Sequence, residues 1–510
     1  MNKLENTKQN LISGVISKFV TLALPFAVRS IIIYKLGIEY VGLNSLFSSI
    51  LQVLSLAELG FGTAVVYSMY KPIAESDTLL ICALLNFYRK VYKIIGTIIL
   101  TIGLALLPLL NRLVSGDIPN SVNLYILYII YLINTVISYL GVAYKQSLLI
   151  AHHKVNIDTN ISTVIYSIMY LLQIVALLIT RNYYCYIILL PIATLVINFV
   201  RNRKVNNIYP HYVCMGTLDA DIKKELFKRV AGLMLSRICQ VCRNSFDSIA
   251  ISTFLGLVIL GRYQNYYYIM SAVIGFMQII PTSVVAGIGN NIATKSIEEN
   301  YEQFEVFYFC YNWLSIWCTV CLLCLYQPFM EMWVGSDNMF PFMLVILMCL
   351  YFYSLKVGDV VAIYKEATGI YWEDKFRPVV ESVVNLALNF GLVQLIGVYG
   401  VVLSTIISIV FINIPWAAKV LFSTYFKKNT AGYLKRVLVG TLELIIISIV
   451  SYLLCAVVTW KGVVALIIRA FICMFVPNII YIILNIKNPR LRESIDIIRR
   501  IFEIKIARRM

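Results

Sequence analysis

The sequence predicts an all-α polytopic membrane protein with about fourteen transmembrane helices, organised as two pseudo-symmetric six-helix lobes followed by two additional helices. Three observations predict this class. First, 60% of the 510 residues are hydrophobic and only 14% are charged, whereas soluble chains average about 45–50% apolar residues. Second, the apolar residues fall in runs long enough to cross a bilayer as a helix, which takes about 20 residues. Third, a stretch near the start of the chain recurs in part 219 residues further on.

Charged or Pro/Gly-rich breaks separate the apolar runs and set the order of the predicted spans. The fourteen spans are 11–34, 42–70, 91–110, 122–150, 157–179, 183–200, 230–255, 263–292, 304–326, 340–364, 379–396, 401–422, 438–460 and 463–486.

The polar, basic segment 201–228 separates the first six spans from the last eight and predicts the lobe boundary. Its part 219–228 has the composition of a short surface helix. The sequence after the last span is basic and amphipathic, as in helices that lie on an anionic inner leaflet. The predicted division is an N-terminal lobe (1–205), a cytoplasmic connection (206–228), a C-terminal lobe (229–425), two additional helices (426–486) and a cytoplasmic tail (487–510).

The internal repeat begins in the first two spans. Several residues recur at an offset of 219: Leu36-Gly37 and Gly42 match Leu255-Gly256 and Gly261, Ile73-Ala74 matches Ile292-Ala293, and the cation Lys18 falls on the cation Arg237. Six spans return the chain to the side where it started, so the two repeats are predicted to run parallel. Parallel repeats of this kind are typical of transporters.

The positive charge is distributed as a topology signal. The net charge is +17, and with the N-terminus inside, 29 of the 43 Lys and Arg residues fall in cytoplasmic segments and only five in outer loops. This positive-inside pattern predicts that both termini are cytoplasmic. We therefore expect the basic surface to contact anionic membrane lipids and not nucleic acid.

Charged residues inside the first two spans are costly in a bilayer and usually face a cavity or a partner. Lys18 and Arg29 lie eleven residues apart, close to three helical turns, so both point to one side of the first span. The second span carries Glu58 one turn from Ser55, near a polar face that includes Asn44. These two spans are predicted to turn polar stripes toward the protein interior.

The seventh span is the most polar. A helical stripe contains Arg237 and Asn244, and Arg243 and Asp247 form an i, i+4 pair beside it. Two readings stay open: an internal salt bridge with helix–helix hydrogen bonds, or the lining of a cavity.

Other intramembrane charges have plausible structural roles. In the tenth span, Lys356 and Asp359 are an i, i+3 pair that is either self-neutralising or functional. Glu443 and Arg469, in the last two spans, are expected to have packing or interfacial roles.

The charge balance over the two lobe-entry helices is cationic, which suits an anionic ligand such as a phosphate. The positions expected to contact the anionic head group are Arg29, Lys18, Arg237 and Arg243. The candidate cavity-lining or ion-coupling positions are Glu58, Asp247, Asn244, Lys356 and Asp359.

The twelve cysteines include two metal-like spacings. One is the pair Cys239 and Cys242, and the other is the series Cys318, Cys321 and Cys324. Both lie within predicted membrane helices, where no loop would bring the thiolates together. We therefore expect buried cysteines that act as small hydrophobes, with no metal and no cofactor.

No catalytic or nucleotide-binding signature is present. The chain contains no G-x-x-x-x-G-K-[ST] sequence, so transport would be driven by an ion gradient, the membrane potential or the substrate gradient. The outer loops are short, and the longest, 327–339, offers only Glu331 and Asp337. An enzyme is therefore disfavoured.

A series of short motifs resembles the polysaccharide transporter family, the Wzx-type flippases. In the first half these are Asn10-Leu11-Ile12-Ser13-Gly14, Arg29-Ser30-Ile31-Ile32, Leu36-Gly37 through Gly42-Leu43, Leu56-Ala57-Glu58-Leu59-Gly60 and Tyr70-Lys71-Pro72-Ile73-Ala74. In the second half they are Ala367-Thr368-Gly369-Ile370, Pro378-Val379-Val380-Glu381 and Gly397-Val398-Tyr399-Gly400-Val401-Val402.

The resemblance implies a fold of the MOP superfamily, two six-helix lobes around a cavity that opens alternately to each side. It implies a bacterial cytoplasmic-membrane protein that moves undecaprenyl-pyrophosphate-linked glycans outward, together with a polysaccharide polymerase and a chain-length regulator. In such flippases cavity arginines, one of them in the first helix, handle the pyrophosphate. Arg29, with Lys18, is the matching position here.

Three rival readings stay open. A lipid II flippase has the same fold and also carries appended helices. A MATE-like, cation-coupled multidrug exporter shares the fold but prefers an acidic cavity. A membrane glycosyltransferase, glycan polymerase or O-acyltransferase belongs to another class.

Overall fold

The computed structural model describes residues 3–58, 61–116, 118–142 and 144–496, and within these ranges the chain forms helices joined by short connections, with no β-strand. The chain divides into two compact units, Met1–Gln264 and Asn265–Met510. We describe each unit by itself.

The described residues of the first unit form ten helices and the start of an eleventh. They are α1 (Lys3–Lys35), α2 (Ile38–Leu54), α3 (Phe61–Ala74), α4 (Thr78–Ala105), α5 (Leu124–Leu140), α6 (Tyr144–Ala151), α7 (Val155–Thr180), α8 (Tyr183–Ile187), α9 (Leu189–Ile208), α10 (Ala220–Leu255) and α11 (Leu257–Met277). Two 3₁₀ turns, Ser55–Glu58 and Leu107–Arg112, follow α2 and α4.

The second unit contains the remaining helices. They are α12 (Ile279–Thr294), α13 (Ile297–Val334), α14 (Phe342–Thr368), α15 (Phe376–Ile396), α16 (Val398–Ser408), α17 (Ile414–Leu421), α18 (Ala431–Ala456) and α19 (Gly462–Leu484). Two π-helical segments, Ile409–Asn413 and Phe422–Phe426, flank α17. The first precedes Pro415, whose missing N–H interrupts the regular hydrogen-bond ladder.

The all-α, polytopic class predicted from the sequence is confirmed, and each predicted span lies on helical structure. Ten helical stretches in the described ranges are long and apolar enough to cross a membrane, or eleven if the bent pair α5–α6 is one span. The count of fourteen therefore remains a prediction. The helix α2, with 17 residues, is apolar but shorter than a full crossing.

Several predicted spans are divided between consecutive helical segments, among them 42–70 and 122–150. The span 42–70 is divided by the 3₁₀ turn Ser55–Glu58, which separates α2 from α3. The span 122–150 bends by 51° between α5 and α6. Gly141 ends α5 with φ −71° and ψ −138°, and a Cβ there would overlap the Asn198 side chain, so the bend combines an irregular backbone with close packing.

The inter-lobe connection differs from its prediction at one end. The expected short surface helix at 219–228 is not separate, because α10 begins at Ala220 and continues without a break to Leu255. Its 36 residues span about 54 Å, more than the roughly 30 Å hydrocarbon core. In the predicted tail, residues 489–496 are helical, and 497–510 lie outside the described residues.

Two glycine corners mark the internal repeat. Gly37, with φ +127°, separates α1 from α2, and Gly256, with φ +88°, separates α10 from α11. Residues that carry a Cβ rarely adopt these backbone angles, so glycine is required at each corner. The same helix–glycine–helix unit thus occurs twice, at the offset read from the sequence.

Candidate functional site

Arg29 is half-buried on α1 and is tied to the end of the first unit. Its Nη1 donates a hydrogen bond to the carbonyl oxygen of Gln264, on α11, at 2.8 Å. The Gln264 side chain in turn donates from Nε2 to Ser248 Oγ, on α10, at 2.9 Å. The predicted head-group cation is therefore oriented by the second copy of the helix–glycine–helix unit.

The polar stripe of α10 has a buried end and an exposed end. Asp247 and Ser248 are 3% and 2% exposed, whereas Arg237, about three turns earlier, is exposed. Arg243 and Asn244 are half-buried between them. The side chains of this stripe thus become less exposed from Arg237 toward Asp247 and Ser248.

Lys18 is exposed on α1, three turns before the half-buried Arg29. On both α1 and α10, the first predicted cation is exposed and the next is half-buried. The two exposed cations, Lys18 and Arg237, are the ones at matched positions in the repeat. Their role as a head-group site remains a prediction.

Glu58 is held by a group of tyrosines that the sequence analysis missed. Tyr139 donates to Glu58 Oε2 at 2.7 Å, and Tyr92 donates to Glu58 Oε1. Tyr88 donates to the Tyr92 hydroxyl at 2.7 Å. Each carboxyl oxygen of this half-buried acid therefore accepts a hydrogen bond from a tyrosine hydroxyl.

No sequence signal singled out these three tyrosines. The chain contains 35 tyrosines, and only the fold brings Tyr88 and Tyr92 of α4 and Tyr139 of α5 to one acid. Packing around the acid is close, since a Cβ on Gly62 would lie 2.8 Å from the Tyr88 hydroxyl.

Lys356 and Asp359 form an ion pair in the second unit. The distance from Lys356 Nζ to Asp359 Oδ2 is 2.6 Å, and Tyr311 donates to the same carboxylate oxygen at 2.6 Å. Lys356 is only 3% exposed. This geometry favours the self-neutralising reading of the pair that the sequence left open.

Two further charge networks were not predicted. In the second unit, Arg377 bridges Asp374 at 2.8 Å and Glu381 at 3.0 Å, and Lys365 also pairs with Asp374. Asn413, in the π-helical segment before α17, donates to Glu381 at 2.6 Å. Such buried networks are satisfied internally, which is the condition under which charges persist away from water.

The first unit contains a comparable buried pair. Asp158 on α7 accepts from Arg201 on α9 and from Gln146 on α6 at 2.8 Å. The sequence analysis placed Arg201 at the start of a polar connection, but α9 continues to Ile208 and keeps this arginine 9% exposed.

The last two helices use their charged residues for packing, in agreement with the expectation. Asn485 donates to Glu443 at 2.9 Å, and Arg469 donates to the carbonyl oxygens of Cys455 and Val458 at 3.2 and 3.1 Å.

The expectation that the cysteine thiols do not converge is wrong for one member of the C-x-x-C-x-x-C series. Cys324 of α13 meets Cys455 of α18 and Cys473 of α19, with the three Sγ atoms within 4.8 Å of one another. Spacing within one helix could not reveal this, because two of the three thiols come from helices more than 100 residues downstream.

Comparison with known proteins shows the fold. No family model matches the sequence, and no curated protein matches it. Among solved structures, the chain is similar to the lipid II flippase MurJ in its inward closed conformation, with a TM-score of 0.62 and 14% identity over 95% of this chain and 99% of that one. It is also similar to an inward-facing multidrug resistance MATE family transporter of the MOP superfamily, with a TM-score of 0.62 and 15% identity over 81% and 96%.

A third similar structure is a mutant of the Vibrio cholerae MATE transporter VcmN, with a TM-score of 0.55 and 14% identity over 84% of this chain and 98% of that one. These comparisons confirm the MOP-like fold that the sequence resemblance implies.

Proposed function

We propose that this chain is a flippase that moves undecaprenyl-pyrophosphate-linked oligosaccharide units from the cytoplasmic to the outer leaflet by alternating access, for surface polysaccharide synthesis. The observation that carries the proposal is Arg29, a half-buried cation in the first membrane helix of a MOP-like fold. It lies six residues, about 9 Å along the helix axis, from Lys35 at the end of α1.

The chemistry of the substrate fits this position. A pyrophosphate carries several negative charges and is costly to bring into a low-dielectric interior unless cations meet it. A planar guanidinium contacts phosphate oxygens in a two-pronged geometry. Lys18 and Arg237, both exposed, would attract the head group from water, and Arg29 would hold it deeper in the membrane.

The extent of the structural matches favours a flippase over a multidrug exporter. The VcmN structure matches 84% of this chain. The MurJ match covers 95% of it, and this fraction must include part of the segment containing α18 and α19. An exporter of cationic drugs would also be poorly served by the cationic stripes of α1 and α10.

A lipid II flippase is the second candidate, and the MurJ match is the observation that favours it. Lipid II is also a lipid-linked sugar carrying a diphosphate, so the same cations would serve it. The two candidates differ in the glycan that must be accommodated, and a direct comparison of substrates separates them.

The decisive experiment is deletion of the gene in the organism that encodes it. We expect lipid-linked repeat units to accumulate on the cytoplasmic leaflet while peptidoglycan synthesis continues. Loss of a polymerase would instead leave the units on the outer leaflet. Accumulation of lipid II would favour the second candidate, and normal surface polysaccharide would contradict the proposal.

Purified protein in liposomes provides a test free of partner enzymes. We expect it to move a fluorescent undecaprenyl-pyrophosphate oligosaccharide across the bilayer, and Arg29→Ala protein to be inactive. Faster movement of fluorescent lipid II would favour the alternative. Efflux of a cationic dye without lipid movement would favour an exporter.

The membrane topology stays part of this proposal, with both termini and the connection 206–228 in the cytoplasm. In a Cys185→Ser background, a cysteine at Thr217, exposed before α10, should resist a membrane-impermeant maleimide in intact cells. A cysteine at Ser336, exposed after α13, should react. The opposite labelling pattern would contradict the topology.

A further inference from the structure

Three buried thiols meet where the last two helices pack on α13. Cys324, Cys455 and Cys473 are 3%, 3% and 1% exposed, and the Sγ atoms of Cys455 and Cys473 are 4.0 Å apart. A fourth thiol, Cys321, lies one turn before Cys324, with its Sγ 3.8 Å from the Cys473 carbonyl oxygen. Within the described ranges, this is where three potential metal ligands of these residue types come together.

The separation of the thiols is close to that of sulfur ligands that share one metal ion. Zn–S bonds are about 2.3 Å long, so sulfur ligands of a tetrahedral zinc lie about 3.8 Å apart. The thiols here lie within 4.8 Å of one another, and a contraction of less than about 1 Å would bring them to that spacing. An all-sulfur ligand set selects thiophilic ions such as Zn²⁺ and Cu⁺ over hard ions such as Mg²⁺ and Ca²⁺.

The surroundings supply a compensating charge. A cavity of about 150 Å³ is lined by Cys324, Cys455 and Arg469, and also by the exposed Glu331. Three thiolates around one Zn²⁺ leave a net charge of −1, and the guanidinium of Arg469 supplies +1. Its bonds to the carbonyl oxygens of Cys455 and Val458 fix it beside the cluster. A paired charge of this kind can be buried, whereas an isolated one cannot.

From this geometry we infer that Cys324, Cys455 and Cys473 form a binding site for a thiophilic d¹⁰ cation, Zn²⁺ or Cu⁺, which fastens the two additional helices to α13. Binding releases the thiol protons and replaces them with metal–sulfur bonds. Cys321 or a water molecule in the cavity would complete a tetrahedral zinc site, whereas the three thiolates alone suffice for trigonal copper. The site uses none of the residues that the proposed function assigns to the head group, so it does not rest on that proposal.

The test begins with full-length protein purified under reducing conditions in detergent. After incubation with Zn²⁺ or with Cu⁺ and removal of free metal, we expect one ion per chain by elemental analysis. Competition between Zn²⁺ and Cu⁺ for the same protein shows which ion is bound more tightly. X-ray absorption should show a first shell of three or four sulfur atoms at about 2.3 Å for zinc. This measurement needs no substitution, so it stands even if a variant fails to fold.

Matched variants locate the site. The double variant Cys324→Ser, Cys473→Ser should bind the metal on the order of a hundredfold more weakly or not at all, since losing a ligand costs more than losing one of its supporting contacts. Cys349→Ser removes an equally buried thiol on α14, 3% exposed, and should bind like the wild type. Metal should raise the melting temperature of the wild type and of Cys349→Ser but not that of the double variant.

Three results would overturn the inference. One is reduced wild-type protein that retains no stoichiometric metal. Another is equal binding by the double variant. The third is a disulfide between two of the three cysteines in protein isolated without reductant, identified by peptide mass spectrometry, with no metal bound after reduction.

Discussion

Gly42 and Gly261 occupy reciprocal positions in one helix-packing contact. A Cβ on Gly42 would overlap the carbonyl oxygen of Leu257, and a Cβ on Gly261 would overlap that of Ile38. Ile38 and Leu257 are themselves 219 residues apart, as are the two glycines. The contact therefore has the self-complementary form of a two-fold interface, made within one chain by its two repeats.

Substitution at these glycines should destabilise the protein in a coupled way. We expect Gly42→Ala and Gly261→Ala each to lower stability by about 1–3 kcal/mol, because each added methyl group forces the helices apart. The double variant should lose less stability than the two single variants together, because moving the two helices apart once relieves both overlaps. Thermal unfolding in detergent would measure these effects.

The control for this prediction is Gly391→Ala on α15. A Cβ there meets nothing within 4 Å, and alanine favours the helix by roughly 0.5–1 kcal/mol over glycine. We expect unchanged or slightly higher stability. If Gly42→Ala melts at the same temperature as the wild type, the helices separate without loss of stability and the prediction is contradicted.

The repeat could be read from the sequence because its contacts require glycine. The corners at Gly37 and Gly256 need a positive φ, and Gly42 and Gly261 need the absence of a Cβ, so few other residues can replace them. Apolar run length likewise predicted the helical spans, since a bilayer imposes a minimum length.

Other features depend on tertiary contacts that no local pattern encodes. The break at Ser55–Glu58 interrupts an apolar run that reads as one helix. The tyrosines around Glu58 and the thiols around Cys473 come from separate helices whose neighbours only the fold defines. The roles predicted for Lys18 and Arg237 also depend on how a complete transport cavity is arranged. These two roles therefore remain predictions from the sequence.

Removal of the Glu58 side chain should destabilise the first unit. Glu58→Ala would leave the Tyr92 and Tyr139 hydroxyls without their acceptor, at a cost of about 1–3 kcal/mol for a buried donor. Glu58→Gln keeps one acceptor oxygen, and its amide N–H can donate to the other tyrosine hydroxyl, so it should melt closer to the wild type than Glu58→Ala does, which makes it the variant for testing ion coupling. Tyr139→Phe should cost about 1 kcal/mol.

Transport measured with Glu58→Gln would separate the two roles of this acid. If its charge couples transport to a cation or proton, Glu58→Gln should fold normally and lose the dependence of transport on that gradient. Equal melting temperatures for Glu58→Ala and the wild type would contradict the structural part of the prediction.

Arg29 should be required for transport through its charge. We expect Arg29→Ala to abolish export of lipid-linked glycan, and Arg29→Lys to retain part of it, because lysine keeps the charge but loses the two-pronged contact with phosphate. Arg29→Gln is the informative control, since its amide can donate to the Gln264 carbonyl oxygen while carrying no charge. Membrane levels of each variant should be measured alongside export.

The outcome with Arg29→Gln distinguishes structure from chemistry. If Arg29 acts only as a helix–helix contact, Arg29→Gln should export normally. If it binds an anionic head group, Arg29→Gln should fail like Arg29→Ala at normal membrane levels. Normal export by Arg29→Ala at wild-type abundance would refute both roles.

Lys18 and Arg237 link the repeat to the proposed chemistry. They occupy matched positions, and both side chains are exposed. We expect them to lie at similar depth on the two lobes, where two like charges repel in an empty cavity and favour an inward-open state. A pyrophosphate bound between them would relieve that repulsion, which supplies the differential affinity that any conformational switch needs. The double variant Lys18→Gln, Arg237→Gln should therefore transport far more slowly, and each single variant should lose less.

Salt dependence provides an independent measurement of the same pair. Exposed charges are screened over about 10 Å at 0.1 M ionic strength, so head-group capture by Lys18 and Arg237 should weaken as salt rises. The rate of substrate transport by the wild type should fall as the salt concentration rises. The rate of the double variant should be lower and nearly independent of salt. The matched control is Lys35→Gln, which removes an exposed cation at the C-terminal end of α1. Unimpaired transport by the double variant, or a structure that places either side chain toward lipid, would rule out the pair as a head-group site.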